Sequence, residues 1–378
     1  MDGCKVQKKK QVTSEEYNLN SLYINPTKYC NLRCKHCWVS PPLRDEMKGA
    51  EDEMSMCEII DTIKEGRKLG LSSVKLTGGE PLLRSDIKEL LEYCTSVGIE
   101  ITIETNGTLI TKSVAKMFKK SNMGQISVSL DSGREKMHDH FRGYRGAFRR
   151  TIEGINNLQD EGFDPQVIMS LYKENLNEFS EFMGLMQELR VYDIKINIIS
   201  PIGRGNAMKE SGLVPTVREI IEFSKEVEKN QESFKGNIYL DIPMAFKSLQ
   251  TVKSGTCGIC AIKNILGILS DGSVSLCGIG YMENDLVFGN VKNTPEVLKD
   301  IWNDNAIVKE IREGIPLKLE GVCGMCVFKT RCLGSCRAEI YYNTGKLFEP
   351  HWFCQEAYEE GLFPSTRLIP EALRKQDE

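Results

Sequence analysis

The sequence predicts an α/β fold, with a parallel sheet and its helices followed by a smaller, cysteine-dense unit. Three observations lead there. From Ser21 to about Ser200 short β-rich runs alternate with helical ones; fourteen cysteines gather largely in two places; and from about residue 251 cysteine, glycine and short strand-like runs replace that alternation. Strands alternating with helices imply parallel βαβ units with right-handed crossovers. Periodicity alone leaves a doubly wound layer and a partial barrel both open.

Taken in order, residues 1–20 read as an irregular lead-in, and strands are expected at Leu22–Asn25, Ser73–Leu76, Ile99–Glu104, Gln125–Leu130, Gln166–Leu171 and Asp193–Ile199. Helices are expected between them over 55–69, 86–97, 112–120, 145–161 and 176–189. Met56, Ile59, Ile60 and Ile63 carry the spacing of a one-sided helix. A helix over 216–230 and a strand at Asn237–Ile242 follow. The first unit is expected over 21–235, and a bridging segment, the cysteine unit and a tail over 236–378. The cysteine unit reads as loop-rich and too poor in long apolar runs to be held by burial alone, so that metal ligation would supply stability.

Hydrophobic residues make up 40% and charged residues 27% of the 378, the balance of a globular protein. The formal net charge of −4 gives no sign of a nucleic-acid partner, and no apolar run reaches the ~18 residues of a membrane-spanning helix. Met1–Lys10 is polar with no apolar run behind it, which argues against a secretory signal and for the reducing cytoplasm. In such a compartment clustered cysteines bind metal more often than they form disulfides. Cys57 and Cys94 fall on helical stretches and read as small core residues. Cys4 lies on the irregular end.

Directly after the first strand runs Cys30-Asn31-Leu32-Arg33-Cys34-Lys35-His36-Cys37-Trp38. A structural zinc site wants four ligands, and a ferredoxin cubane takes four thiolates. Three thiolates on one short loop leave one iron open for chemistry. His36, the nearest fourth ligand, lies between two cysteines and cannot easily reach the same metal. This segment resembles the signature of the radical S-adenosylmethionine (SAM) superfamily. Gly78-Gly79-Glu80-Pro81, after the second strand, resembles the family's GGEP loop, which holds the amino group of SAM and whose glycines allow close backbone approach. The fourth strand ends in Ser129-Leu130-Asp131, where relatives contact the SAM ribose. His138-Asp139-His140-Phe141-Arg142-Gly143 is similar to the segment whose arginine pairs with the SAM carboxylate, a task that suits a guanidinium fork. Pro201-Ile202-Gly203-Arg204-Gly205 matches a turn lying along the adenine. The resemblance covers about residues 20–205 and implies a partial (β/α)6 barrel with its site at the C-terminal strand ends. It implies a catalytic loop of Cys30, Cys34 and Cys37, with cofactor contacts from His36, Gly78, Gly79, Glu80, Pro81, Ser129, Asp131, Arg142 and Gly203.

The remaining cysteines read Cys257-x2-Cys260, Gly272 and Cys277, Cys323-x2-Cys326-x5-Cys332-x3-Cys336 and finally Cys354. Alone, C-x2-C pairs also fit two structural zinc sites. The pattern resembles the SPASM domain, the auxiliary-cluster extension of radical SAM peptide maturases. That resemblance implies one auxiliary cluster on Cys257, Cys260, Cys277 and Cys336 and a second on Cys323, Cys326, Cys332 and Cys354, hence three [4Fe–4S] clusters in all.

The family's chemistry then implies reductive cleavage of SAM to a 5′-deoxyadenosyl radical that abstracts a hydrogen from the substrate, the cofactor performing the hard step. The expected substrate is a ribosomally synthesised peptide and the expected product a thioether or carbon–carbon cross-link, a reading to which the Trp38-Val39-Ser40-Pro41 continuation adds a little. An electron donor such as flavodoxin or ferredoxin is expected, with leader recognition by the barrel, the SPASM surface or a separate leader-binding protein. Side-chain decarboxylation in tetrapyrrole (haem-type) synthesis is the alternative, from Cys336-Arg337-Ala338-like endings. Sulfatase maturases share the spacing but carry an aspartate where Gly278 stands. An iron–sulfur electron carrier is the non-enzyme alternative, and such a carrier has no use for an open iron. Tyr239, Asp241 and His351 read as structural or surface residues.

Overall fold

The computed structural model describes residues 17–39, 53–254, 258–280 and 283–370. Cys4, Cys257 and the Ser40-Pro41 continuation lie outside the described residues. Seven parallel strands follow one another in space as in sequence: β1 (Ser21–Ile24), β2 (Ser73–Leu76), β3 (Glu100–Thr105), β4 (Met123–Ser129), β5 (Gln166–Leu171), β6 (Asp193–Ile198) and β7 (Asn237–Asp241). Right-handed crossovers between consecutive neighbours put every crossover helix on the same face. That sequential order is a barrel's and not that of a doubly wound sheet, whose order reverses at a switch point. The partial barrel is therefore the fold.

The expected boundary before residue 236 is not where the sheet ends. β7 pairs in parallel with β6, and β8 (Ile265–Ile268) pairs in parallel with β1 on the opposite edge. β9 (Ser273–Ser275) then pairs antiparallel with β8, and β10 (Val287–Asn290) antiparallel with β9, so one ten-stranded sheet runs through both units. Backbone pairing continues because an open barrel edge presents unpaired N–H and C=O groups that another strand satisfies.

Burial alternates along β1, β2 and β3 and through the first half of β6, whereas β5 is buried from Val167 to Leu171. Val74 and Leu76, Ile101 and Ile103, and Ile194 and Ile196 are buried, whereas Tyr23, Lys75, Glu104, Lys195 and Asn197 are half-buried on the other face. Parallel strands covered by apolar layers on both faces read as continuous hydrophobic runs; here one face packs under helices and the other is polar. Lys75 Nζ meets Glu104 Oε1 at 2.5 Å, and Thr77 Oγ1 donates to Glu104 Oε2 at 3.1 Å.

The helix Met56–Lys68 starts at a capping box in which Ser55 Oγ accepts from the Glu58 N–H and the Glu58 carboxylate accepts from the Ser55 N–H. It buries Met56, Ile59 and Ile63 as one stripe. Among the helices that escape the sequence reading are Glu135–Arg142 and Arg204–Glu210, whose buried positions, His138, Phe141 and Arg142 in the first and Gly205 and Met208 in the second, form no apolar stripe. The cysteine-rich region carries short helices among its loops, at Val297–Asp304, Ala306–Gly314, Arg337–Thr344 and Trp352–Glu359. It also has an apolar core, with Leu286, Trp302, Ile311 and Phe353 at 2% exposure or less, so burial contributes there after all.

Candidate active site

β1 delivers the chain into the Cys30–Cys37 loop, which neighbouring segments grip from three sides. Thr27 and Tyr29 carbonyls accept from the Gly79 and Glu80 N–H groups at 3.1 and 2.7 Å. Arg33 and Lys35 N–H groups donate to the Arg142 and Phe141 carbonyls at 3.0 and 2.9 Å, and the Arg204 N–H donates to the Cys37 carbonyl at 3.1 Å. Glycine permits these approaches. A Cβ on Gly79 would stand 2.1 Å from the Tyr29 carbonyl oxygen, and one on Gly203 2.5 Å from that of Trp38. Gly79 thus clears room for the cysteine loop itself. Gly203 serves the same loop from the other side, at φ 57°.

Glu80 is buried and accepts from Thr105 Oγ1 at 2.7 Å, the Asn106 N–H at 2.9 Å and the Leu82 N–H at 3.2 Å. Burial raises its pKa against those hydrogen bonds. Pro81 opens the short 3₁₀ turn that follows. Asn106, which the sequence reading missed, bridges to Asn31 Oδ1 at 2.8 Å from the C-terminal end of β3. Its position at a strand end was the available signal.

Cys30 and Cys34 are buried at 8% exposure and Cys37 packs beside them. Burial, with Glu80 and the neighbouring thiols behind it, pushes Cys30 up to about 12; burial also raises Cys34, against the pull of Arg142. Thiols so placed ionise only beside a strong cationic centre, which suits a metal cluster.

Asp131 and Arg142 pair with each other. Arg142 Nε and Nη2 donate to the two Asp131 carboxylate oxygens at 2.5 and 2.9 Å, and Asp131 Oδ1 also accepts from the Ser170 N–H at 3.0 Å. Asp131 is fully buried and is the counter-ion of Arg142. Burial alone would raise its pKa, but Arg142 and the adjoining histidines outweigh burial and hold it low. The Arg142 fork is filled, and its remaining nitrogen, Nη1, reaches Cys34 Sγ at 3.6 Å. His36 turns away from the thiols and stacks on Phe141 at 4.6 Å, with Phe141 on Tyr172 at 4.2 Å. Its Nε2 lies 3.2 Å from Ser170 Oγ, and burial, then Arg142, lowers its pKa to about 3. Ser129 stands half-buried at the end of β4, where the sequence places it.

Around this loop several buried polar atoms have no partner: Asn25 Oδ1, His36 Nδ1, Asn197 Oδ1, and Nε and Nη2 of Arg204. Unsatisfied buried donors and acceptors are costly, and a polar ligand bearing both charges, as SAM does, would satisfy them. The thiols, orphaned atoms and polar sheet face together fit a cluster with SAM.

The later cysteines fall into two neighbourhoods. Cys260, Cys277 and Cys336 act on one another electrostatically, and Cys323, Cys326, Cys332 and Cys354 form a separate set. The second set lines a single cavity walled by Val322 and Phe363. Among the described residues no three His, Cys, Asp or Glu side chains close tightly enough to hold one metal ion. Several sulfurs accept from the N–H two residues on: Cys30 from Leu32 and Cys326 from Phe328, each at 3.4 Å, with the same partnership at Cys260–Ile262 and Cys277–Ile279. Such bonds favour thiolate and recur where cysteines ligate. A Cβ on Gly278 would meet Trp38, Tyr23 and Thr77 side chains at 3.7–4.0 Å, so this position lies between the first cysteine loop and Cys277.

Family profiles match this chain twice, the radical SAM superfamily over residues 24–186 and an iron–sulfur cluster-binding domain, SPASM, over 257–327. The AdoMet-dependent heme synthase of Nitratidesulfovibrio vulgaris is 30% identical across 84% of this chain and 87% of its own length. The mycofactocin maturase MftC of Mycobacterium tuberculosis is 26% identical across 90% of this chain and 84% of its own. Streptococcus suis SuiB bound to its precursor peptide SuiA shares the fold with a TM-score of 0.67, at 20% identity, over 90% of this chain and 77% of SuiB. No helix among the described residues is long and apolar enough to cross a membrane. The chain belongs to the radical SAM superfamily and is an enzyme of its SPASM-bearing branch, for which iron–sulfur clusters and SAM are the implied cofactors.

Proposed function

We propose that the enzyme abstracts a hydrogen from a ribosomally synthesised peptide and installs a thioether or carbon–carbon cross-link. The observation that carries the reading is the gathering of Cys30, Cys34 and Cys37 beside orphaned polar atoms at the ends of the parallel strands. These thiols would hold the SAM-binding cluster, and the side chain of the nearest alternative ligand, His36, is engaged with Phe141 and Ser170. When bound, cluster and SAM supply one-electron bond cleavage and a hydrogen-abstracting radical. The protein's own work is positional. Glu80 and Asn106 tie the cysteine loop to β3, Arg142 holds a positive charge against Cys34, and the grip on the loop backbone keeps the three sulfurs in place. Ser129, Asn25, Asn197 and Arg204 are the side chains available to SAM and substrate. We assign Cys257, Cys260, Cys277 and Cys336 to one auxiliary cluster and Cys323, Cys326, Cys332 and Cys354 to the other. Thiols lining a cavity favour a cluster over a single zinc ion. Three [4Fe–4S] clusters would total about twelve irons per chain.

The peptide is supported by the precursor bound to SuiB and by the maturase relative. A tetrapyrrole substrate is the second reading, favoured by the 30% identical heme synthase. A sulfatase-maturase role lacks its acid, since Gly278 stands there. Electrons would come from a flavodoxin or ferredoxin, and leader recognition would fall to the barrel, the SPASM surface or a separate protein. The test reduces the anaerobically reconstituted enzyme with SAM and measures 5′-deoxyadenosine by mass spectrometry, alone, with a candidate precursor peptide, or with iron coproporphyrin III. Stimulation by peptide with a mass loss in the peptide is expected; stimulation by the porphyrin alone replaces the peptide reading with the tetrapyrrole one.

A further inference from the structure

Arg337 is an unusual place for a charge. It follows Cys336 at the start of the helix Arg337–Thr344 and has no exposed surface at all. Its hydrogen bonds go to neutral carbonyls only: Leu347 and Glu349, each 3.0 Å from Nη1, and Gly334 from Nη2. Its Nε is buried without a partner. The nearby carboxylates are committed elsewhere. Glu339 lies 3.7 Å from His351 Nε2 and accepts from Trp352 Nε1 at 2.8 Å, while Glu349 pairs with Lys346 at 2.7 Å. A buried cation with only carbonyl partners costs several kcal/mol, on the order of the penalty for any desolvated ion.

Its place in the chain and its contacts set it beside both thiol sets: it directly follows Cys336 of the first, and Gly334, whose carbonyl accepts from Nη2, lines the cavity of Cys323, Cys326, Cys332 and Cys354. Its charge is felt accordingly: burial lowers its pKa most, and thiols of both sets, Cys323, Cys336, Cys332 and Cys260, pull the other way. Arg337 therefore adjoins both cysteine neighbourhoods. A fully thiolate-ligated cluster is anionic, and reduction makes it more so. A fixed cation beside it stabilises the reduced form and raises the reduction potential, one of the levers by which a protein sets a cluster's potential.

We propose that Arg337 is a positioning residue shared by both auxiliary clusters, whose single buried charge is their common counter-ion and raises both potentials together. The proposal rests on reading the two cysteine sets as cluster ligands. It explains why an arginine is kept where no carboxylate meets it, and it couples the two clusters: an electron on one weakens the pull that the same cation exerts for the other.

The test uses the full chain, reconstituted anaerobically, as wild type, Arg337→Gln and Arg337→Lys. Iron is counted first, and each cluster is then titrated potentiometrically with EPR detection. In Arg337→Gln the reduced-to-oxidised ratio of both auxiliary clusters at a fixed potential should fall at least tenfold, equivalent to 59 mV for a one-electron couple. The SAM-binding cluster should hold, and Arg337→Lys should stay within about threefold of wild type, because it keeps the charge. Unmoved auxiliary potentials in the Gln variant, a shift in only one of them, or an equal shift in the SAM-binding cluster would overturn the proposal. If the Gln variant fails to retain auxiliary iron, retention by the Lys variant supports the charge; loss in both reduces Arg337 to a carbonyl clamp and overturns it. A wild-type count near four irons would instead sink the cluster reading on which the proposal stands.

Discussion

In the barrel, three thiols arrive on one loop and nearly everything that positions them is backbone or buried polar contact at the ends of parallel strands. After β7, each cysteine set draws on segments far apart in sequence, Cys260 and Cys277 with Cys336, and Cys323 with Cys354. In the barrel the buried ion pair, Asp131 with Arg142, is internally matched, and Glu80 finds three donors. Both regions keep buried polar atoms without partners, Asn25, His36, Asn197 and Arg204 around the barrel loop and Arg337 after β7, where four thiols line one cavity. The difference lies in the fully buried charges: Arg142 meets a carboxylate, whereas Arg337 meets only carbonyls, so the later region would complete its electrostatics with its ligands.

The sharpest way to break this comparison is to empty the barrel loop. Cys34→Ala should reduce 5′-deoxyadenosine formation to background and remove about four irons, the complement of one cubane. Auxiliary EPR signals should persist. If all iron disappears together, the two regions do not load independently and the contrast fails.

Asp131→Asn should cost about 3–5 kcal/mol, because it leaves Arg142 buried and uncompensated. Urea denaturation of the cluster-free protein reads this directly. A loss under 1 kcal/mol would mean that the pair is not what matches the barrel site internally.

A pH series sharpens the same point. His138 is fully buried, 3.5 Å from Asp131, its Nδ1 accepting from the Asp131 N–H, with Arg142 and Asp139 as its other charged neighbours. Burial, with Arg142 adding to it, lowers its pKa from 6.5 to about 4, although Asp131 and Asp139 pull the other way. Between those values the unfolded chain binds a proton that the folded chain refuses. Stability therefore rises with pH across the window, is complete above about 6.5, and is lost as pH falls toward 4. Wild type should show about 1.4 kcal/mol more loss per pH unit than His138→Asn in that range. Equal slopes would contradict the burial of a neutral imidazole.

How much of this was legible follows from what carries each signal. Six barrel strands and most of the helices between them announce themselves through alternation and the 3.6-residue stripe, and Ser73–Leu76 and Gln166–Leu171 stand as read. The helices Glu135–Arg142 and Arg204–Glu210 bury mostly polar or small residues, His138 and Arg142 in the first and Gly205 in the second, so no apolar stripe announces them. The addition of β8 to the β1 edge was invisible because strand pairing is a long-range fact with no local pattern. Spacing alone marked the later cysteines as metal ligands, and it was the resemblance to the SPASM domain that divided them into two sets; the described members of each set lie near one another. Arg142 was recognised but its partner was not. A motif marks a charged residue, whereas which neighbour reaches it first depends on packing: Asp131 lies eleven residues away and sits across its fork.

The smallest predicted effect concerns the cysteines outside all three sets. The spacing reading put both Cys57 and Cys94 in the core, but the structure separates them: Cys94 is fully buried beneath the helix Ile87–Ser96, whereas Cys57 faces solvent on Met56–Lys68. The reason is helical phase. Met56, Ile59 and Ile63 define the inward stripe, and position 57 lies about a hundred degrees around from Met56, off that stripe. Cys94→Ser places a hydroxyl in an apolar site and should cost about 1–3 kcal/mol. Cys57→Ser should stay within about 0.5 kcal/mol of wild type. Neither should change the iron count, because neither thiol belongs to a set. Iron lost in Cys57→Ser would mean that an exposed barrel thiol contributes to loading, and would blur the division between a barrel whose buried arginine is paired with a carboxylate and a second region whose buried arginine meets only carbonyls.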